Sequence, residues 1–362
     1  MIRSDKSINA WQTGILIFIL MFANKVLILP SLLFERAKFE SIFVIVVLSL
    51  FEMGVLYLFY RLKSRFPTQS FSHIIKEYCG KIVMIIINIL FMVYFLSKVV
   101  LIYNITYIFF KTVLYKDNSN LLFLFCFLPI INHLACCGLR VMGRTMQLVF
   151  PVVFVLVCFC ILVGIFGVNS TPLFFQGPIS EIFVETLKHI SAFGDMIFLF
   201  MIMNKVKIKK GQWKIVFSLS VISLVLVFAV AFVFMLSYTY TAYMHPFAMF
   251  EIMNYVKEVG GTGRIDILAM ICIIILTYFQ MAIYLKGFML AFGNVFYKVN
   301  KIYSVISFNL LFLFLINYVV LNLETAVYYG ENILPYVSIF SFAVVPLLSL
   351  VLEILRRRRV RT

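Results

Sequence analysis

Charge is scarce in this sequence. Asp, Glu, Lys and Arg make up 13% of its 362 residues, against 64% hydrophobic residues and a mean hydropathy of +1.07. Soluble domains carry about a quarter charged residues, so a soluble globular class is excluded. The chain reads as a polytopic membrane protein, for which counting domains by length does not apply. Acids are the scarcer sign, 15 Asp and Glu against 31 Lys and Arg. The seven cysteines form no paired, loop-borne set and no metal-ligand spacing with histidine. They read as small apolar packing residues. A phosphate loop, H-E-x-x-H and G-x-S-x-G are all missing. No enzyme activity, cofactor or metal is expected. No low-complexity segment or sequence repeat is visible. The N-terminal apolar run from Ile8 to Phe34 is too long for a leader core and closes on no small-residue cleavage site. It reads as a first membrane helix.

What is abundant is apolar length. A helix needs about 20 residues to cross the hydrocarbon core. Ten segments are candidates: Ile8–Phe34, Ser41–Leu62, Ile82–Phe110, Leu121–Cys137, Leu148–Val168, Ile190–Met203, Trp213–Tyr238, Ile265–Phe292, Tyr303–Leu323 and Ile333–Leu355. The third is long enough to tilt strongly or project beyond the bilayer. The sixth is short unless preceding residues extend it. Ten spans place both termini on one side. The basic residues cluster on that side: Arg3 and Lys6, Arg61 to Lys81, Arg140 and Arg144, Lys205 to Lys214, Lys286 to Lys301, and the arginine tail Arg356 to Arg361. By the positive-inside rule both termini are cytoplasmic. The positive balance is then a topology signal with some attraction to anionic membrane lipids, not a nucleic-acid footprint. The expectation is an all-α integral membrane protein of one permease-like domain, residues 1–362. It divides five plus five, about 8–168 and 178–355, with a basic tail over 356–362. Spans 1 and 6 enter the membrane from opposite sides, as an inverted repeat requires. Pro178–Ile190 and Pro246–Val259 space their apolar residues as short amphipathic helices on the outer surface, serving as caps on the bundle or as lids over an outward cavity.

Ionisable residues inside spans are functional hypotheses by default. Here they are Lys25, Glu52, Lys98, His133 and Asp195. Two lie beside expected helix breaks, Ala23-Asn24-Lys25 and Phe193-Gly194-Asp195. Unwinding frees backbone groups at mid-depth, which only protein or a water-filled cavity can satisfy. Paired discontinuous helices build the ligand site of inverted-repeat transporters in this way. Lys25 has three possible fates: snorkelling outward along its stem, pairing with Asp195 or another acid, or touching a ligand. Asp195 cannot snorkel far and requires a partner. Glu52 and Lys98 are expected to pair between spans 2 and 3 as structural glue. His133 is expected to be a hydrogen-bonded packing residue.

Taken in order, several stretches resemble the B-subunit (GerAB-type) family of spore germination receptors, within the amino acid–polyamine–organocation transporter superfamily. They are Ala23 to Pro30 followed by Ser31; RFPTQSFSHIIKEYCGK from Arg65 to Lys81; and GLRVMGRTMQLVFP with Gly138, Arg144 and Pro151. AFGDMIFLFM in span 6 follows, then HPFAMFEIMNYVKEVGGTGRIDIL with Pro246, Arg264 and Asp266. The resemblance covers nearly the whole chain. It implies a ten-helix inverted-repeat fold in the spore inner membrane and a complex with an A subunit and a C-subunit lipoprotein. It also implies binding of a small nutrient germinant, usually an amino acid. Carried over, the binding residues are Ala23, Asn24, Lys25, Phe193, Gly194 and Asp195. The chain departs from the pattern at Lys25, where a small residue is common, and at Met203-Asn204, where a proline is common. The rival reading is a proton-coupled amino acid secondary transporter.

Overall fold

A computed structural model of the chain describes residues 7–113, 120–167, 179–260, 265–296, 300–318, 322–339 and 343–361. Among them there is no β-strand, only one bridge tying Ile8 to Val206. The helices are α1 (Ala10–Phe22), α2 (Leu29–Ala37), α3 (Ser41–Arg65), α4 (Phe71–Cys79), α5 (Lys81–Val113), α6 (Asn120–Cys136), α7 (Leu139–Gly167) and α8 (Ile179–Lys188). They continue with α9 (Ile197–Met201), α10 (Trp213–Tyr238), α11 (Ala248–Gly260), α12 (Asp266–Val295), α13 (Lys301–Tyr318), α14 (Leu323–Tyr328), α15 (Leu334–Ile339) and α16 (Val345–Arg361). A wide turn of π type, Tyr329–Ile333, joins α14 to α15.

Five stretches are long and apolar enough to cross a membrane: Lys38–Arg65, Lys81–Val113, Leu139–Phe166, Lys210–Tyr238 and Asp266–Val295. Three shorter apolar helices accompany them, Ala10–Phe22, Asn120–Cys136 and Lys301–Ile316. The molecule is a helical, multi-pass membrane protein. The 33 residues of α5 extend about 50 Å at 1.5 Å per residue, well beyond a hydrocarbon core of about 30 Å. The expected tenth span is divided here among the π turn, α15 and α16, and its residues 340–342 lie outside the described residues. So does Pro178, where the first amphipathic segment was to begin.

Burial sorts the helices by role. In α1 every residue except Trp11 is buried. A helix apolar all round belongs in the middle of a bundle, and α1 packs against α10, α7 and α12. In contrast α7 turns Leu148, Val152, Val155, Leu162 and Phe166 outward, the pattern of a helix at the membrane face. The most extensive helix contact is that of α5 with α12. Gly287 makes that approach possible: a Cβ there would lie 2.7 Å from the Phe95 ring. Of the two amphipathic segments, α8 keeps Phe183, Val184 and Leu187 exposed on the outside of the bundle, whereas the second is drawn into it. Phe247, just before α11, and Ala248, Met249, Ile252 and Met253 within it are buried, and the helix packs against α7, α10 and α12. α8 packs against α3 and α2 and leads straight into the interrupted sixth segment.

Candidate functional site

The first membrane segment is interrupted because of Pro30. Proline has no N–H and its ring collides with the carbonyl four residues earlier, which here is that of Val26. α1 therefore stops at Phe22, with the Ala23 N–H bonded back to the Ile19 carbonyl. Residues 23–28 form a turn, and α2 restarts at Leu29 with Pro30 in its first turn, where a missing N–H costs nothing. The freed carbonyls are buried with Val26 and Leu27 and need donors. α11 supplies them. Its first N–H groups have no partner within their own helix: the Ala248 N–H donates to the Leu27 carbonyl at 2.9 Å and the Met249 N–H to the Val26 carbonyl at 3.3 Å. The helix expected as a cap or a lid is thus joined, backbone to backbone, to the break in the first segment.

That junction can be tested by Ala248→Pro. Proline suits the first position of a helix, so α11 should persist, but the Leu27 carbonyl is left buried without its donor. The expected loss is about 1–3 kcal/mol, read as a lowered unfolding temperature of the purified protein in detergent. An unchanged unfolding temperature would mean that the contact does not hold the break.

The second interruption lies between α8 and α9. A 3-10 turn, His189–Ala192, follows α8; Phe193 is extended, and Gly194 takes φ 94°. That conformation is one L-residues with a side chain avoid, so the break sits where glycine permits it. The Gly194 N–H points away from any helix and donates to Glu52 Oε1 at 3.0 Å. The other oxygen of Glu52 receives the Lys25 ammonium at 2.6 Å, and the same ammonium lies 4.3 Å from the centre of the Phe193 ring. Beside this pair, Lys98 of α5 reaches Asp195 Oδ1 at 2.7 Å, and the Tyr94 hydroxyl approaches the same oxygen at 3.4 Å. All four charged side chains are 0–1% exposed. Two cations and two anions balance, the condition under which buried charges are tolerated.

This arrangement settles one question and corrects one expectation. Lys25 does not snorkel; it is buried and paired with an acid. The acid is Glu52 rather than Asp195, and the expected Glu52–Lys98 pair is exchanged for Lys25–Glu52 and Lys98–Asp195. The reason is packing. Although adjacent among the long spans, α3 packs against α2, α8, α9, α10 and α16, not principally against α5. His133 turns out exposed, with only the Cys137 Sγ at 3.4 Å.

Of the six carried-over positions, Lys25, Phe193, Gly194 and Asp195 form this charged centre, and Ala23 closes α1. Asn24 faces elsewhere. It is 5% exposed, its Oδ1 has no hydrogen-bond partner, and it lines a narrow cavity of about 40 Å3 with Leu101 and Ile105 of α5, His189, Ser191 and Glu331. The cavity shares Ile28, Leu32, Val327 and Glu331 with a wider depression of about 360 Å3 whose rim includes Glu35, Tyr243, Pro246 and Glu324. α1 begins at the other end of the molecule, where Asn9 and Gln12 meet Arg140, Arg144 and Lys207. The cavity therefore opens on the face opposite the basic loops.

His189, Glu185 and Glu331 escaped the sequence reading. His189 Nδ1 lies 3.1 Å from the Glu185 carbonyl oxygen and 3.4 Å from the Glu185 carboxylate. Nε2 faces Glu331 Oε1 at 3.5 Å, and Lys188 bonds Glu185 at 3.0 Å. The Ser191 hydroxyl donates to the Gly330 carbonyl at 2.7 Å, locking the second break to the π turn. Glu185 and His189, four apart on one helical face, were the available signal. Among the described residues no group of three His, Cys, Asp or Glu side chains is placed to hold a metal ion.

No curated protein sequence matches the chain. A family model described as spore germination protein matches residues 7–324, from the segment before α1 into α14. With a match over most of its length, on a bundle of apolar helices broken at two opposed points, the chain belongs to the spore germination protein family.

Proposed function

We propose that this protein is the membrane subunit of a spore germinant receptor that binds a small nutrient, an amino acid by the family resemblance, and triggers germination together with an A subunit and a C-subunit lipoprotein. Its ten spans form a five-plus-five inverted repeat in the spore inner membrane, with both termini facing the core. The observation that carries the reading is the placement of Asn24. It belongs to a helix break, its acceptor oxygen is buried and unpartnered, and it lines a cavity leading to the face opposite the basic loops. The broken segments, α5 and the π turn all meet this cavity. A nutrient bound there touches elements whose relative positions the charge pairs fix. Differential affinity for two arrangements of those elements is what a ligand needs to shift them.

Spores carrying Asn24→Ala test the reading. The amino acids that trigger wild-type spores should need about tenfold higher concentration, the equivalent of one lost hydrogen bond of about 1.4 kcal/mol, at an unchanged level of the protein in the spore membrane. An unaltered dose–response would remove the basis of the proposal. The rival, proton-coupled transport, predicts accumulation of an amino acid in proteoliposomes under a pH gradient. Glu52 and Asp195 already each hold an ammonium at hydrogen-bond distance, which favours a role in fixing structure over one in carrying protons.

A further inference from the structure

We infer that the cavity beside Asn24 is a site for a small organic ammonium ion, held by Glu331 and Asn24 on the side of the helix breaks away from the charged centre; the inference rests on the nutrient-binding reading and narrows its ligand class. In inverted-repeat proteins the freed N–H at the second break is a natural partner for a ligand carboxylate. Here that N–H, on Gly194, is already taken by the protein's own Glu52 carboxylate, and Lys25 neutralises the carboxylate in turn. The break therefore offers no anion site. What remains open is the cavity, and its chemistry is that of acceptors.

Three observations point to a cation. First, Asn24 Oδ1 is an acceptor, buried and without a donor. Second, the Ser191 hydroxyl has given its proton to the Gly330 carbonyl and presents lone pairs. Third, charge along the route has one sign. Glu35 and Glu324 lie at the rim and Glu331 on the wall common to rim and cavity, and among the described residues no lysine or arginine lines either space. In a chain with 31 basic and 15 acidic residues, three carboxylates with no lysine or arginine among them, and only the His189 imidazole beside Glu331, are a marked local reversal. A cleft of one sign with apolar walls concentrates the opposite ion. Ile28, Leu32, Leu101 and Ile105 supply such walls and suit a short alkyl group. The narrowness of the cavity restricts the ligand to a small amine.

The test uses the purified full-length protein in detergent and follows its unfolding temperature against ligand concentration, at constant ionic strength set with sodium chloride. The probes are ethylammonium, L-alanine and propionate, which carry on the same two-carbon unit an ammonium, both charged groups, or a carboxylate alone. A ligand that binds the folded state raises the unfolding temperature by mass action. Ethylammonium should raise it at the lowest concentration, L-alanine at a higher one, and propionate not at all. Glu331→Gln should weaken the ethylammonium effect at least tenfold, while Glu331→Asp, which keeps the charge, should retain most of it. The order of the three probes on the unaltered protein needs no variant, so it decides the matter even if a Glu331 variant fails to fold. Equal protection by propionate, no protection by ethylammonium, or full protection of a folded Glu331→Gln variant would each overturn the inference. These outcomes are separate from the spore experiment. A germination response that depends on Asn24, combined with no ammonium preference, would leave the receptor reading standing without this one.

Discussion

Glu52→Ala is expected to be among the most damaging single substitutions in the chain, costing about 3–5 kcal/mol of stability. Removing one member of a buried ion pair leaves the other charge uncompensated, and that cost falls in this range. Lys25 is 0% exposed, and its ammonium meets the Glu52 carboxylate and the face of Phe193. Glu52 has a second obligation, because its Oε1 is the acceptor for the Gly194 N–H at the second break. The double variant Lys25→Met, Glu52→Leu separates the two contributions. Replacing a buried pair by apolar residues of similar size is often neutral or better, so most of the loss should return. Recovery should stop short by about 1–3 kcal/mol, the cost of a buried N–H without an acceptor. The measurement is thermal unfolding in detergent, followed by exposure of the buried thiols of Cys160 and Cys272 to a maleimide dye. Full recovery in the double variant would mean that Glu52 serves Lys25 alone and does not hold the break. A single variant as stable as the unaltered protein would mean that Lys25 finds another partner.

The two breaks were legible in the sequence because their causes are local. Pro30 acts on the carbonyl four residues back, and Gly194 supplies a conformation that other residues avoid; both effects belong to a single stretch of chain. The membrane class was equally legible, since composition alone excludes a water-soluble core. The partners of the charges were not. Glu52 and Lys98 lie on consecutive long spans, and proximity along the chain suggested a pair, but which helices touch is decided by the whole bundle. α3 packs beside α8 and α9 and meets the second break from that side. Two residues of the cavity were lost to small boundary errors. His189 stands one residue before the expected start of the sixth span and Glu331 two before that of the tenth, so neither was counted as lying in the membrane interior. The role of α11 was hidden for a different reason. Its amphipathic spacing is real, but hydrogen bonds from its first N–H groups to Val26 and Leu27 are a tertiary event without a sequence signature.

Asp195→Asn separates the structural role of the charged centre from its role in triggering. The substitution keeps an oxygen within reach of Lys98 and Tyr94 but removes the charge that Lys98 needs. It should cost about 3 kcal/mol, the lower end of the range for a broken buried pair. Such a loss can lower the amount of protein in the spore membrane, and a germination defect in this variant alone would then be ambiguous. The double variant Lys98→Met, Asp195→Leu resolves it. With no charge left unpaired, stability and protein level should return to near those of the unaltered chain. Germination should not return if the pair transmits the ligand's effect, because α5 lines the cavity through Leu101 and Ile105 and is tied to the second break by Lys98 and Asp195. A double variant that is present at normal level and germinates with a normal dose–response would reduce the pair to a structural element. The two pairs should also act together. Phe193 and Gly194, which engage Lys25 and Glu52, immediately precede Asp195 in the chain, so losses at one pair should alter the cost at the other. A cycle combining Lys25→Met, Glu52→Leu with Lys98→Met, Asp195→Leu should therefore depart from additivity by about 0.5–3 kcal/mol, the range for residues in one network, whereas two independent pairs would add.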